Sequence, residues 1–545
     1  MASQETYRDD ILQLSPRRRW AVTIGVMTGM FLAALEATVI ATAMPTVIAS
    51  VGGMDHYSWV FSAYLLSSTV TVPIWGKLSD LYGRRPLYQI GIGIFLVGSV
   101  LSGISQTMTQ LIIYRAIQGI GAGALVPLGM TIVGDIYTLR ERARMQGVFS
   151  SVWGLASIVG PLLGGFITDQ WSWRWVFYIN LPIGLAAAVI MGVALREPRL
   201  HERPRIDYAG AAALTASVTM LMLALVEAGT LSELLRLRNI VLVAGSLVLG
   251  LVFLRIEKSA AEPIVPLGMF RNRVVSVAVI AGFLAGIAMF GGITYVPLFS
   301  QGGRGVSATE AGTMLTPLML SWVTMSIVGG RLLLRIGFKP MVMAGFTILA
   351  LSFAIFSTFD SATPRLSLIL TLCLMGSGLG LSMLTLLLAI QQSVPRTQLG
   401  IATSLNQFSR SIGGAVGVAV MGAIMTASFS AASVELSRGL PSQSPIEAES
   451  LIDPAAQATI PPDMLIGLRA ALVDSMRNVF QTGAVAAVLG LVSCLWLPNL
   501  PAAAARAADR QPLADSGEQM LMAEITMIDA EHEPTGVEGG AGRGA

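Results

Sequence analysis

The sequence predicts an all-α integral membrane protein of fourteen transmembrane helices, built as two six-helix bundles with two inserted helices between them. Three observations lead there. Only 12% of the 545 residues are charged and 54% are apolar, against a usual charged share of about 25%. Apolar windows of about 20 residues, the length that crosses a hydrocarbon core as a helix, recur through most of the chain. The two halves also repeat each other's glycine and basic positions.

Taken in order, residues 1–19 form a basic N-terminus ending in Arg17-Arg18-Arg19. The apolar run behind it is too long for a signal-peptide core and contains Glu36, so cleavage is not expected. Spans near 20–45, 58–76, 86–105, 110–134, 144–168 and 175–195 make a first bundle over 20–195. A polar, arginine-rich cytoplasmic linker follows at 196–207, then the inserted pair within 208–256. The second bundle covers 274–497, with spans near 274–299, 311–332, 340–358, 365–390, 400–428 and 476–497. Residues 429–475 are rich in Ser, Ala, Pro and acids and read as an extracytoplasmic loop holding a short amphipathic helix near 462–474. Residues 498–545 lack periodic apolar residues and read as a disordered cytoplasmic tail.

Charge sorting orients the chain. Arg and Lys crowd the N-terminus and the alternate loops at 77–85, 140–144, 196–205, 255–273 and 331–339, whereas loops 46–57 and 107–110 carry none. Both termini are therefore expected on the cytoplasmic side of the cell membrane. Arg236 and Arg238, inside the inserted pair, are a local exception.

The stretch Gly76-Lys77-Leu78-Ser79-Asp80-Leu81-Tyr82-Gly83-Arg84-Arg85-Pro86 sits between two apolar runs. Gly76 permits close approach of a second backbone, and Gly83 suits a turn that needs positive φ. It is echoed by Gly330-Arg331-Leu332-Leu333-Leu334-Arg335-Ile336-Gly337-Phe338-Lys339-Pro340, with Leu334 in place of Asp80. Gly119, Gly121 and Gly123 recur as Gly376, Gly378 and Gly380, and Gly147, Gly160 and Gly164 as Gly400, Gly413 and Gly417. Repeated halves place a substrate site near the midplane between them.

Ionisable residues inside spans are costly and mark function. Glu36 lies about 24 Å from the inner boundary and Arg115 about 23 Å, counting ~1.5 Å per residue. At one depth in one bundle the two can interact. Burial disfavours the charged carboxylate and the cation favours it, which suits a group that exchanges a proton during transport. Arg410, about ten residues into its helix, lies near the midplane, and both structural pairing and substrate contact remain open for it. Tyr64, Trp153, Tyr295, Asn406 and Gln407 join it as candidates for a substrate cavity. Gly160 and Gly164, four apart, let a neighbouring helix pack closely, while Pro161 weakens local hydrogen bonding.

The opening loop resembles the signature GxLaDrxGrkxxl of the major facilitator superfamily through Gly76, Asp80, Gly83, Arg84 and Arg85. Leu35-Glu36-Ala37-Thr38-Val39-Ile40-Ala41-Thr42-Ala43-Met44-Pro45 is similar to the first-helix motif LDxTVVNVALP of the fourteen-helix drug/proton antiporters, with Glu36 where that family usually has Asp. Arg115-Ala116-Ile117-Gln118-Gly119-Ile120-Gly121 resembles RxxQGxG, whose arginine is associated with proton coupling. Gly154, Gly160, Pro161, Gly164 and Gly165 resemble the antiporter motif GxxxxxGPxxGG. Trp173-Arg174-Trp175-Val176-Phe177-Tyr178-Ile179-Asn180-Leu181-Pro182-Ile183-Gly184 resembles a further hallmark of that branch. The resemblance implies a major facilitator fold and proton-coupled multidrug efflux by alternating access. It also implies a cytoplasmic gate in which Asp80 faces a helix N-terminus of the second half and Arg84 pairs with Asp135.

Other chemistry is not supported. Gly119-Ile120-Gly121-Ala122-Gly123-Ala124 fits GxGxxA but has no preceding strand, and Gly76-Lys77 lacks the rest of a phosphate loop. Cys373 and Cys494 lie in apolar runs and suggest no metal site. No nucleophile–base pair points to an enzyme. The expected partners are a hydrophobic or amphipathic substrate, protons and the lipid bilayer, with the outer loop a candidate docking place for a periplasmic adaptor. Neither nucleic acid nor a cofactor beyond the proton gradient is expected. The alternatives are an exporter of the same fold for a lipid, siderophore or amino acid, or a non-transporting membrane receptor.

Overall fold

The computed structural model describes residues 15–51, 57–195, 206–227, 236–306, 308–436, 451 and 460–498. Fourteen long helices follow one another: α1 Pro16–Val51, α2 Tyr57–Tyr82, α3 Arg84–Ile104, α4 Met108–Ile136, α5 Leu139–Gln170, α6 in two pieces (Trp175–Tyr178 and Asn180–Ala194) and α7 Tyr208–Glu227. The second set is α8 Leu237–Ser259, α9 Arg273–Leu298 with a π turn at Phe299–Gly303, α10 Thr316–Ile336, α11 Phe338–Phe356, α12 Arg365–Ser393, α13 Leu399–Leu436 and α14 Pro462–Cys494. Eleven of these, among the described residues, are long and apolar enough to cross a membrane. The others, α2, α5 and α14, hold charges within the helix, such as Lys77 and Asp80 in α2.

Several boundaries differ from the sequence reading, for one physical reason: hydropathy marks the edge of the membrane, whereas a helix ends where its hydrogen bonding ends. Residues 76–82, expected in a loop, are the last turns of α2. The predicted loop 429–475 loses both its ends, because α13 runs on to Leu436 and α14 starts at Pro462. The separate amphipathic helix at 462–474 and the span at 476–497 are accordingly one helix of 33 residues. Most of the N-terminus, the linker at 196–205, most of the outer loop and the tail lie outside the described residues.

Packing repeats with the halves. In the first, α4 packs on α2 and α3, α1 on α5, α6 and α4, and α3 on α6; in the second, α12 packs on α10 and α11, α9 on α13, α14 and α12, and α11 on α14. Each pair has its counterpart eight helices later. Glycine makes the close approaches: a Cβ on Gly119 or Gly123 would collide with α2, and one on Gly376 or Gly380 with α10. The halves meet along two related seams, α2 with α13 and α5 with α10.

Along the α5–α10 seam a Cβ on Gly330 would collide with the Ala143 carbonyl and one on Gly147 with Ile327. Further along α5, a Cβ on Gly154 would stand an ordinary 3.6 Å from Val323. Of these three glycines, the two nearest the basic loops make the tight approaches.

The inserted pair α7–α8 covers the other seam, α7 touching both α2 and α13. Ala213, Leu214, Val218, Met222 and Phe253 join the main apolar core together with Val70 of α2, and polar contacts add to this. Lys77 of α2 donates to Glu262 at 2.8 Å, and Glu257 of α8 accepts the backbone N–H groups of Ile264 (3.1 Å) and Val265 (3.4 Å). Glu262 is 44% exposed in this pair, so Lys77→Ala is expected to cost less than about 1 kcal/mol, read as an almost unchanged melting temperature of the purified protein.

Gly83 joins α2 to α3 at φ 92°, and Gly337 joins α10 to α11 at φ 94°. With ψ at 160° and 172°, both occupy a region that only glycine visits without strain. Either glycine replaced by alanine is expected to cost about 1–3 kcal/mol, measured as a lowered melting temperature, with the helices themselves intact by circular dichroism.

Candidate functional site

Glu36 is buried in the middle of α1, and its carboxylate is completely satisfied. Arg115 Nη1 of α4 donates to Oε1, and Asn180 Nδ2 of α6 donates to Oε2 at 2.5 Å. Arg115 is held in turn: the same Nη1 donates to Gln118 Oε1 at 2.8 Å, Nε to the Val60 carbonyl at 3.4 Å, and its guanidinium lies 4.2 Å from the Tyr64 ring centroid. Asn180 Nδ2 also donates to Ser99 Oγ at 3.0 Å, and Ser99 to the Phe177 carbonyl at 2.8 Å. Five helices of the first half therefore converge on one carboxylate. Glu36, Arg115, Gln118, Asn180 and Ser99 are all at most 1% exposed.

Local sequence explains the convergence. Asn180 is delivered by the break in α6, where the turn Trp175–Tyr178 ends and Asn180 begins the second piece. Burying an ion pair without further hydrogen bonds is unfavourable, so the polar shell around this one is what makes it tenable. Of these residues, sequence reasoning singled out Glu36 and Arg115 and placed Tyr64 in a substrate cavity; here Tyr64 lies under the guanidinium instead. Gln118, Ser99 and Asn180 were missed as site residues. The available signal was a polar side chain within an apolar span. The Gln118 Nε2 is buried without a hydrogen-bond partner, which leaves its two N–H groups unused beside the pair.

The second cluster lies at the basic end. Asp80 accepts the N–H groups of Gly400 (2.9 Å) and Ile401 (2.8 Å), the first turn of α13, so a carboxylate of one half caps a helix of the other. The partial positive charge of a helix N-terminus favours an anion there. Arg84 pairs with Asp80 and, through Nε at 3.0 Å, with Asp135 Oδ2; its Nη1 reaches Ser79 Oγ at 2.9 Å and its Nη2 the Arg396 carbonyl at 3.4 Å. A Cβ on Gly76 would collide with Ser404 and stand 2.9 Å from the Gly400 carbonyl. On the related seam Leu334 stands where Asp80 does, and the N-terminus of α5 carries a capping box from its own flanking residues, Thr138 and Glu141.

The other predicted residues separate. Gly160 packs against Thr38 of α1, since a Cβ there would strike its hydroxyl; Gly164 is buried, Gly165 has nothing within 4 Å, and Gly154 faces Val323. The side chain of Pro161 lies outside the described residues. Two expected cavity residues instead join helices. Tyr295 donates to the Val418 carbonyl at 2.7 Å and is 4% exposed, while Asn406 donates to the Ala278 carbonyl at 3.2 Å and is 5% exposed. The Tyr295 hydroxyl and the Asn406 amide nitrogen thus join α9 to α13. Trp153 is 41% exposed. Gln407 and Arg410 lie together, half-buried, the guanidinium donating to the amide oxygen.

A sequence profile of the Major Facilitator Superfamily matches residues 26–418. The chain belongs to the major facilitator superfamily. Within this superfamily it is 38% identical over 517 residues to the multidrug transporter protein MdtP of Bacillus subtilis (strain 168), covering 91% of this chain and 96% of that protein. It is 35% identical over 483 residues to multidrug resistance protein 3 of the same organism, covering 87% and 94%. The fold is similar to that of the proton:xylose symporter XylE, with a TM-score of 0.58 at 13% identity over 89% of this chain and 96% of that one. The chain is thus a multi-pass membrane transporter of this superfamily, with multidrug transporters among its relatives.

Proposed function

We propose that the protein is a proton-coupled antiporter that exports hydrophobic or amphipathic compounds, multidrug in range, by alternating access between the two halves. The observation that carries this reading is Glu36, an acid sealed inside the membrane-spanning part of one half and held by Arg115 and Asn180 from two further helices. A carboxylate so placed changes partners when its helices shift, and a proton is the simplest replacement for a lost cation. In this reading the latch of Asp80, Arg84 and Asp135 closes the cytoplasmic side. The excess of Arg and Lys at that end orients it inward, in the cell membrane, with both termini cytoplasmic. The driving force is the proton gradient, with no cofactor.

The test is proton movement itself. Inside-out vesicles carrying a proton gradient are given a neutral fluorescent amphipath, and both dye uptake and proton efflux from the lumen are followed. Uptake that discharges the gradient in proportion to substrate is expected. Uptake insensitive to an uncoupler would sink the coupling, and binding with neither uptake nor proton movement would make the protein a receptor.

A further inference from the structure

We propose that Arg410 is an anion-recognition residue, the group that meets the acidic head of an amphipathic substrate between the halves. This rests on the export reading above and adds to it a chemical class of cargo.

Outside α14, which carries Arg469, Asp474 and Arg477 within its length, three charged residues lie away from the helix ends among the described ones: Glu36, Arg115 and Arg410. The first two neutralise each other, and Arg410 stands alone. Its Nη2 donates to Gln407 Oε1 and its Nη1 contacts Met383 Sδ at 3.6 Å, and no carboxylate among the described residues is paired with it. Of the helices around it, α9 and α12 have no acidic residue and α13 itself only Glu435 near its far end, while the described carboxylates of α2, α4 and α14 (Asp80, Asp135, Asp463 and Asp474) are not paired with it. A neutral amide and a thioether are weak company for a guanidinium at mid-membrane depth, where intramembrane cations normally find an anion or face water.

Position adds a second argument. Thr403 and Arg410 are seven residues apart on α13 and so share a face. Thr403 accepts from Gln391 Nε2 of α12 at 3.2 Å, and the same amide reaches the Met130 carbonyl of α4, in the other half, at 3.3 Å. That face therefore looks toward the plane where the halves meet. Arg410 stands about 10 Å farther along the helix, at ~1.5 Å per residue, beyond the closed basic end. Its backbone is fixed against α9, because a Cβ on Gly286 would collide with the Arg410 carbonyl. The guanidinium remains half-buried, with donors to spare. A planar fork with free N–H groups suits a carboxylate, sulfonate or phosphate, and the same charge repels a lipophilic cation.

The test uses purified protein in neutral-lipid nanodiscs and three dansyl-labelled alkyl probes of equal length, ending in a sulfonate, an uncharged sulfonamide or a trimethylammonium. The wild type is expected to bind the sulfonate about tenfold or more tighter than the sulfonamide, the scale of one charge-assisted hydrogen-bonded contact, and the ammonium most weakly. Arg410→Gln should erase the sulfonate preference with sulfonamide affinity unchanged, and Arg410→Lys should keep part of it. No preference in the wild type, or a preference that survives in Arg410→Gln, overturns the proposal. So does an equal loss of sulfonate and sulfonamide binding, which would make Arg410 structural. An anionic phospholipid could use the same fork: if adding it to the disc abolishes the sulfonate preference, the residue belongs to the lipid and the substrate assignment fails. Uncoupler-sensitive export of the sulfonamide, measured in cells with the wild type, tests the antiport reading separately.

Discussion

Glu36→Gln is expected to leave a folded protein that binds substrate and no longer couples export to protons. The amide keeps the shape of the carboxyl group and one acceptor for Arg115 or Asn180, but it cannot release a proton at any accessible pH. In the vesicle assay, dye uptake driven by an imposed proton gradient should fall to the level of vesicles without the protein, while dye binding in detergent stays near wild type. Gradient-driven uptake that persists would move proton exchange away from Glu36. The truncation Glu36→Ala should behave differently, because it strands a buried guanidinium, an event that costs about 3–5 kcal/mol. Reduced yield and a lower melting temperature are the readouts. Glu36→Asp keeps the charge on an arm one methylene shorter and should retain partial coupling.

The second large effect is expected at the latch. Asp80→Asn removes the negative charge that meets the first turn of α13 at Gly400 and Ile401, yet leaves Arg84 paired with Asp135. The lost attraction between charge and helix terminus is worth about 0.3–2 kcal/mol, so the ratio of closed to open states at the basic end should drop about twofold to thirtyfold. Spin labels on the basic ends of α2 and α13 report this as growth of a longer-distance population. An unchanged distance distribution would show that the close backbone packing of Gly76 holds the gate without the cap. Leu334→Asp on the other seam is expected to create no second latch, because Thr138 and Glu141 already satisfy the N-terminus of α5.

How far the sequence could be read follows from which coordinate of a helix is fixed by chemistry. Rise along the axis is fixed, so the matched depths of Glu36 and Arg115 followed from counting residues. The helix count was legible for a related reason, since each crossing needs its own apolar window. Rotation about the axis is set by packing partners that no single sequence names. That is why Tyr295 and Asn406 read as cavity residues although their polar atoms join α9 to α13, and why Asn180 was quoted in a motif without a role. Helix ends were also misread. At 38 residues, α13 is about 57 Å long at ~1.5 Å per residue, well beyond a hydrocarbon core of about 30 Å, and the part outside the membrane has no hydropathy signal to reveal it.

The unequal seams have a mechanical consequence. On one flank the halves are stitched by Asp80, Arg84 and their carbonyl and N–H partners and overlaid by α7; on the other, Gly330 rides against the Ala143 backbone and Leu334 replaces the acid. A glycine-on-backbone contact slides at little cost, whereas a desolvated charge contact yields only by breaking. In the proposed alternating-access cycle, separation at the basic end is therefore expected to begin on the flank without the acid and turn about the stitched one. The first opening is then a wedge with its apex under the inserted helices.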